Sequence, residues 1–171
     1  LSNKIIYLAG FLFLILVGCS NGDTVDYSGE PGITGYVIDK IEESILIVNP
    51  EAVDFSETGG KEEFYDAVWA NNSPEDIKVG DQVNVWFDAG VQESYPGQAS
   101  VGKIEIIPSS TSEGATLSDN EALNKAITAM TLKNKLFTVR SIVYDSDKER
   151  WTIIVKNIET YEEHTVQVED K

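Results

Sequence analysis

Cysteine is almost missing from this chain. The one thiol, Cys19, has no second cysteine to pair with, so no intrachain disulfide forms and stability has to come from packing. Histidine is as scarce. His164 stands alone among Glu162, Glu163 and Thr165, which argues against a multi-histidine metal centre, and no free thiolate is left to complete one. Basic residues are few: 13 Lys and Arg face 29 Asp and Glu, for a formal charge of −16. Nucleic-acid binding depends on clustered cations and is not expected. Anionic lipid headgroups and wall polymers are repelled; cations and basic partners are favoured. A solvated acidic surface that keeps an exported protein soluble accounts for the same charge. No phosphate-cradling glycine loop and no nucleophile elbow occurs, so no nucleophile–base pair can be named and no cofactor is expected. Long apolar runs are missing too. The longest, Ile5–Val17, is short of the roughly 20 residues that cross ~30 Å of hydrocarbon.

What is present at the start is a targeting signal. Leu1-Ser2-Asn3-Lys4 supplies one positive charge, the apolar run follows, and small residues close it, which is the layout of a secretory signal. Leu1 in place of Met reads as an alternative start codon or as a truncated start. Leu16-Val17-Gly18-Cys19 resembles the lipobox of bacterial lipoproteins, with Leu16 at −3 and Gly18 at −1. The resemblance implies cleavage before Cys19 and a diacylglyceryl unit on its sulfur. Two acyl chains anchor stably, at about 0.8 kcal/mol per buried CH₂, where one is marginal. A plain secretory signal with a chance cysteine and a short membrane helix are the competing readings. The expected location is the outer face of the cell membrane, with the lipid on Cys19 as the membrane contact.

Charge divides the remainder. Ser20–Leu117 holds 19 acids and 4 bases, whereas Ser118–Lys171 holds 10 and 8. The break falls at the polar stretch 109–117, which reads as a flexible linker. The organisation expected is a signal peptide at 1–18, a lipidated cysteine and tether at 19–32, a first module at 33–108, the linker, and a second module at 118–171. Nothing in the pattern says whether the two modules pack together.

The first module reads as five short strands. Ile33–Lys40 and Ser44–Val48 form a hairpin, the second mostly apolar and so buried on both faces. Asn49–Lys61 reads as a long loop, Glu63–Ala70 as an aromatic-rich strand. Gln82–Asp88 alternates cleanly, with Val83, Val85 and Phe87 on one face and Asn84, Trp86 and Asp88 on the other. Val101–Ile107 is the fifth. Five such strands suit a small closed barrel of the OB type, which leaves no sticky edge. The second module opens on Ser118-Asp119-Asn120-Glu121, a capping box. Leu123, Ala126, Ile127 and Met130 then form one apolar stripe, and Lys133 and Lys135 complement the helix dipole. Strands at Phe137–Tyr144, Trp151–Lys156 and His164–Val168 follow. The fold class expected is mainly β with α+β: an OB-like barrel, then a small α-β-β-β unit.

Gly35-Tyr36-Val37, Val79-Gly80-Asp81-Gln82-Val83 and Glu93-Ser94-Tyr95-Pro96-Gly97-Gln98-Ala99 carry a resemblance to a family of uncharacterised lipoproteins from Gram-positive, Bacillus-type bacteria. It covers roughly 32–108. It implies an OB-like barrel on the cell surface and no assigned activity.

Tyr95-Pro96-Gly97-Gln98 fits a type II turn joining strands four and five. That turn accounts for the motif as a plain connection between two strands; in an OB fold the same loop borders the usual binding face, which makes Trp86, Glu93, Tyr95 and Gln98 the candidate ligand-binding residues. Asp145-Ser146-Asp147-Lys148-Glu149 has alternating oxygens, but Arg150 stands where a calcium loop needs glycine, so it reads as a hairpin turn. The acidic run Glu51–Glu57 reads as a solvated loop. Three functions are weighed. The first is a non-enzymatic, lipid-anchored binding protein for an extracytoplasmic small molecule, wall glycan or peptide. The second is an interaction or inhibitory module for an exported protein such as a protease. The last is an envelope hydrolase, for which no catalytic residue can be named.

Overall fold

The computed structural model describes residues 27–130 and 136–171. Five strands close into a barrel in the order β1-β2-β3-β5-β4. They are β1 (Ile33–Ile41), β2 (Ser44–Val53), β3 (Phe64–Asn71), β4 (Gln82–Phe87) and β5 (Gly97–Ile106). All pairings are antiparallel except β3–β5, where Val68 lies opposite Gly97 and Ala70 opposite Ala99. The alternation of β4 puts Val83 and Val85 inside, with Ile33 and Val37 of β1, Ile45 and Ile47 of β2, and Val68 and Ala70 of β3. The β3–β4 connection adds Ile77 to this core. Lys40 holds that connection by donating its ammonium to the carbonyls of Pro74, Glu75 and Ile77 at 2.7–3.2 Å.

Strand β2 is buried on both faces, as its unbroken apolar run predicts. Ile45 and Ile47 point into the barrel, while Leu46 and Val48 belong to a second core outside it. Alternation lets consecutive residues of β1 serve both cores in the same way, and a bulge between Val37 and Asp39 follows. Val37 and Ile38 are each 0% exposed, one inside the barrel and one outside.

The second core is completed by a helix and a three-stranded antiparallel meander. The helix α1 (Asp119–Ala129) starts at a complete capping box: the Ser118 amide donates to Glu121 Oε2 at 2.8 Å and the Glu121 amide to Ser118 Oγ at 3.4 Å. Its buried stripe is Ala122, Leu123, Ala126 and Ile127. The strands are β6 (Phe137–Asp145), β7 (Arg150–Asn157) and β8 (Glu163–Glu169). They present Phe137, Trp151, Ile153 and Val155 to one cluster that also contains Ile38, Leu46, Val48, Tyr65 and Ala67 of the barrel. The two modules therefore share a core. Polar joints fix their register: Thr138 Oγ1 donates to the Asn49 carbonyl at 3.0 Å, and Asn124 Nδ2 to the Val79 carbonyl at 2.7 Å. Gly80 lets the helix come this close. Its φ is +96°, and a Cβ there would lie 2.6 Å from the Asn120 carbonyl oxygen.

Four local expectations differ from what is observed. Strand β2 runs to Val53, resuming after a shift in register between Val48 and Ala52. Pro50, which has no N–H to give the ladder, sits in that shift. Strand β5 begins at Gly97 because its first half pairs with β3. Tyr95–Pro96 is cis and Gly97 lies in the strand with no positive φ, so the type II turn is not formed. A Cβ at Gly97 would lie 2.6 Å from Cγ1 of the exposed Val91 side chain, which would have to turn away. The stretch expected as a flexible linker is tied down at both ends. Asp119 accepts from the amide and hydroxyl of Ser110, and Asp170 from the amides of Thr116 and Leu117. Lys133 and Lys135 lie outside the described residues. Among those described, no helix is long and apolar enough to cross a membrane.

Candidate functional site

Beyond Val48, β2 pairs only with β3, so the β2–β3 hairpin outruns the barrel and carries its own aromatic residues outward. Phe64, opposite Val53, packs edge-on against Phe55 with ring centroids 5.6 Å apart. On its other side it meets Tyr95 at 5.5 Å. Phe55 is fixed by the turn that follows it: its amide donates to Lys61 and its carbonyl accepts from Gly60, at 2.8 and 2.9 Å. Tyr95 is fixed by its hydroxyl, which donates to the Tyr65 carbonyl at 2.8 Å. Neither ring is covered. Phe55 is 42% exposed and Tyr95 45%. Rigid exposed aromatics at the loop end of a barrel form a ready contact surface, because few rotamers are lost on binding.

The second module reaches the same surface through its β7–β8 turn. Tyr161 has φ +61° and donates its hydroxyl to the Glu63 carbonyl at 2.8 Å. The Glu63 carboxylate takes the Lys156 ammonium at 2.6 and 2.8 Å and the Tyr65 hydroxyl. These contacts, that of Lys156 first, hold Glu63 below the usual carboxylate range. Lys156 also lies 5.5 Å from the Tyr161 ring centroid. Lys61, Glu62, Glu63 and Tyr161 line an open cleft of about 750 Å³ here. Burial pushes the Tyr95 phenol up to about 12, helped by the negative charges of Asp66 and Glu159. Burial and the bond to Glu63 do the same for Tyr65. Both phenols keep their protons at neutral pH.

Of the residues expected from sequence, Glu93 and Tyr95 lie in the β4–β5 loop and Gln98 in the first residues of β5, where it bridges back to Gln92 of that loop. Glu93 and Gln98 are exposed. Trp86 lies elsewhere, in a shallow cleft of about 340 Å³ lined also by Tyr27, Gly29, Phe87 and Val91. Its indole N–H donates to the Gly29 carbonyl at 2.7 Å, and the Lys103 ammonium stands 4.4 Å over its ring. The Tyr27 hydroxyl donates to Asp88. Trp86 thus holds the stretch expected as a free tether against the barrel from Tyr27 onward. Cys19 and the apolar run before it lie outside the described residues. Phe55, Phe64 and Tyr161 had not been singled out. A lone aromatic inside the acidic run Glu51–Glu57 was the available signal for the first.

The remaining groups are occupied locally. Asp145 accepts from the amides of Asp147 and Lys148 and pairs with the Lys148 ammonium at 2.6 Å, closing the β6–β7 turn. Asp54 accepts from the Ser56 amide. His164 lies in β8 opposite Val155. Among the described residues, no group of three or more His, Cys, Asp or Glu is placed to hold a metal ion.

Residues 34–108, the barrel, match a protein family of unknown function, DUF3221, and a domain of that family is present here. The family's model ends before α1 and so leaves out the module that completes the second core. No curated protein and no solved structure matches the chain.

Proposed function

We propose that this is a lipid-anchored, extracytoplasmic binding protein of Gram-positive type, without chemistry of its own, which holds its ligand on the Phe55–Phe64–Tyr95 surface. The observation that carries the reading is that surface: three rings in edge-on and tilted contact in series at the loop end of an OB-like barrel, two of them more than two-fifths exposed. Large side chains left in water and held rigid mark interaction sites. Glu93 on the β4–β5 loop and Gln98 at the start of β5 supply polar groups beside Tyr95. The charged start, short apolar run and Leu16-Val17-Gly18-Cys19 support the anchor. Trp86, gripping Gly29, sets where the tether leaves the body.

A Cys19→Ala variant expressed in a Gram-positive host will lose metabolic labelling by palmitate and leave the membrane fraction. Unchanged labelling would remove the anchor from this reading. The alternative of an inhibitory module for an exported protease draws on the same surface, since the β7–β8 turn extends it beyond the barrel.

A further inference from the structure

The ligand class follows from what surrounds the rings and from what their polar atoms are already doing; this step rests on the binding reading above. The centre of the surface is apolar: Val53, Phe55, Phe64 and the ring of Tyr95. Its two central hydroxyls are engaged, Tyr95 with the Tyr65 carbonyl and Tyr161 with the Glu63 carbonyl. A glycan lying here would find few groups to match its many hydroxyls, and unpaired polar groups weaken binding. The rim, by contrast, is acidic. Asp66 and Glu159 bear electrostatically on Tyr95 from β3 and from the β7–β8 turn. Asp54 and Glu57 flank Phe55, and Glu93 stands two residues before Tyr95. Of the cations nearby, Lys61 and Lys156 lie toward Tyr161, Lys156 is neutralised by Glu63, and Arg140 bears electrostatically on Glu63 and Tyr65.

We infer that the Phe55–Phe64–Tyr95 surface docks a cationic amphipathic peptide segment, whose apolar side chains cover the rings while its Lys or Arg side chains reach the Asp66, Glu159 and Glu93 carboxylates. Aromatic anchors at the centre with charges at the rim is the arrangement of a protein interface. The charge complementarity sets partner choice and encounter rate more than affinity. The three rings belong to the barrel, and Glu159 joins their rim only where the second module is packed against it.

The probe is a synthetic peptide alternating lysine with phenylalanine and leucine, titrated into the mature chain by calorimetry and by NMR. Two controls carry glutamate in place of lysine, or serine in place of the apolar residues. The lysine peptide is expected to bind and to perturb the Phe55, Phe64 and Tyr95 signals, weakening severalfold between about 50 and 300 mM salt, where screening shortens. Both control peptides are expected to fail. Phe55→Ser lies in an exposed loop and is expected to weaken binding about tenfold. Asp66→Asn with Glu159→Gln, both exposed, is expected to flatten the salt dependence. Equal binding of the serine peptide would overturn the inference in favour of plain charge attraction, and equal binding of the glutamate peptide would overturn it in favour of apolar contact without charge selection. Binding of N-acetylglucosamine oligomers at Tyr95, with no peptide binding, would overturn the ligand class and leave the binding reading standing. A Phe55→Ser variant that matches the wild type with every ligand found would remove the binding reading as well.

Discussion

Gly35→Ala is expected to collapse the barrel, although it adds one methyl group. A Cβ at Gly35 would point into the backbone of the neighbouring strand, against the Val48 carbonyl oxygen, 2.6 Å from its carbon and 3.0 Å from the Asn49 nitrogen. No rotamer relieves a clash between Cβ and backbone. Strand β1 would have to leave β2 where Tyr36 pairs with Val48 and where Gly35 itself pairs with Val83 of β4. Val48 and Asn49 also reach the second core and Thr138, so the displacement spreads to the other module. Overpacking of a flexible core costs about 1–3 kcal/mol, and a contact with rigid backbone at a barrel seam lies at or above the top of that range. Against a total of about 5–15 kcal/mol this is a large share. The urea midpoint of Gly35→Ala will fall sharply or no folded baseline will be reached. Gly90→Ala, where nothing lies within 4 Å, will unfold as the wild type does. Equal midpoints for the two variants would mean that the close approach of β1 to β2 is not as described.

Asp170→Asn is the second change with a large expected effect. The carboxylate is 5% exposed and gathers four donors: the amides of Thr116 and Leu117 at 2.6 and 2.9 Å, the Trp151 indole N–H at 2.9 Å and the Tyr144 hydroxyl at 3.4 Å. It thereby ties the entry to α1 onto the sheet. Burial pushes its pKa up, but the amides of Leu117 and Thr116 and the Trp151 indole outweigh burial and hold it at about 2. A carboxyl whose folded pKa is depressed stabilises the fold fully above its unfolded value of about 3.9. That contribution is lost as pH falls from there through about 2. The wild type is therefore expected to lose melting temperature between these values. Glu63, Glu121, Asp54 and Asp145 add to the loss, since each is also held below its ordinary value. Asparagine keeps one acceptor and turns an amide N–H toward donors. The variant will melt several degrees lower at pH 7 and will approach the wild type as the pH is lowered. An undiminished melting temperature at pH 7 would show that the Asp170 contacts do not hold the joint.

These two positions show which parts of the molecule were legible in the residues. Helix α1 was legible to its first residue because a capping box is a local device, and the apolar stripe behind it needs no partner to be recognised. Strand β4 was legible because alternation reports one buried face. The double burial of β2 was legible as well, although what covered its outer face was not. The first half of β5 was hidden: Gly97-Gln98-Ala99-Ser100 has no β-branched or aromatic residue, and it is a strand because β3 offers it a parallel partner. The end of β2 was hidden behind Pro50. The site was half visible for the same reason. Tyr95 stands in a motif and Trp86 in a clean alternation, so both drew attention. Phe55 was masked by the acids around it, and Tyr161 joins the surface only through packing across 98 residues of separation, from its hydroxyl to Glu63. The family motifs turn out to carry structure. Gly35 and Gly80 permit close approaches, and Asp81 closes the Lys78 turn by accepting that amide at 2.7 Å.

The rim that Glu159 and Tyr161 add to the surface depends on the barrel and the α+β unit being one folded body with a common core. Differential scanning calorimetry of the chain from Ser20 onward tests this directly. The shared cluster of Ile38, Leu46, Val48 and Tyr65 with Leu123, Phe137, Trp151 and Ile153 predicts a single transition whose calorimetric and van't Hoff enthalpies agree. Two separable transitions, one for the barrel and one for the unit after it, would contradict the account.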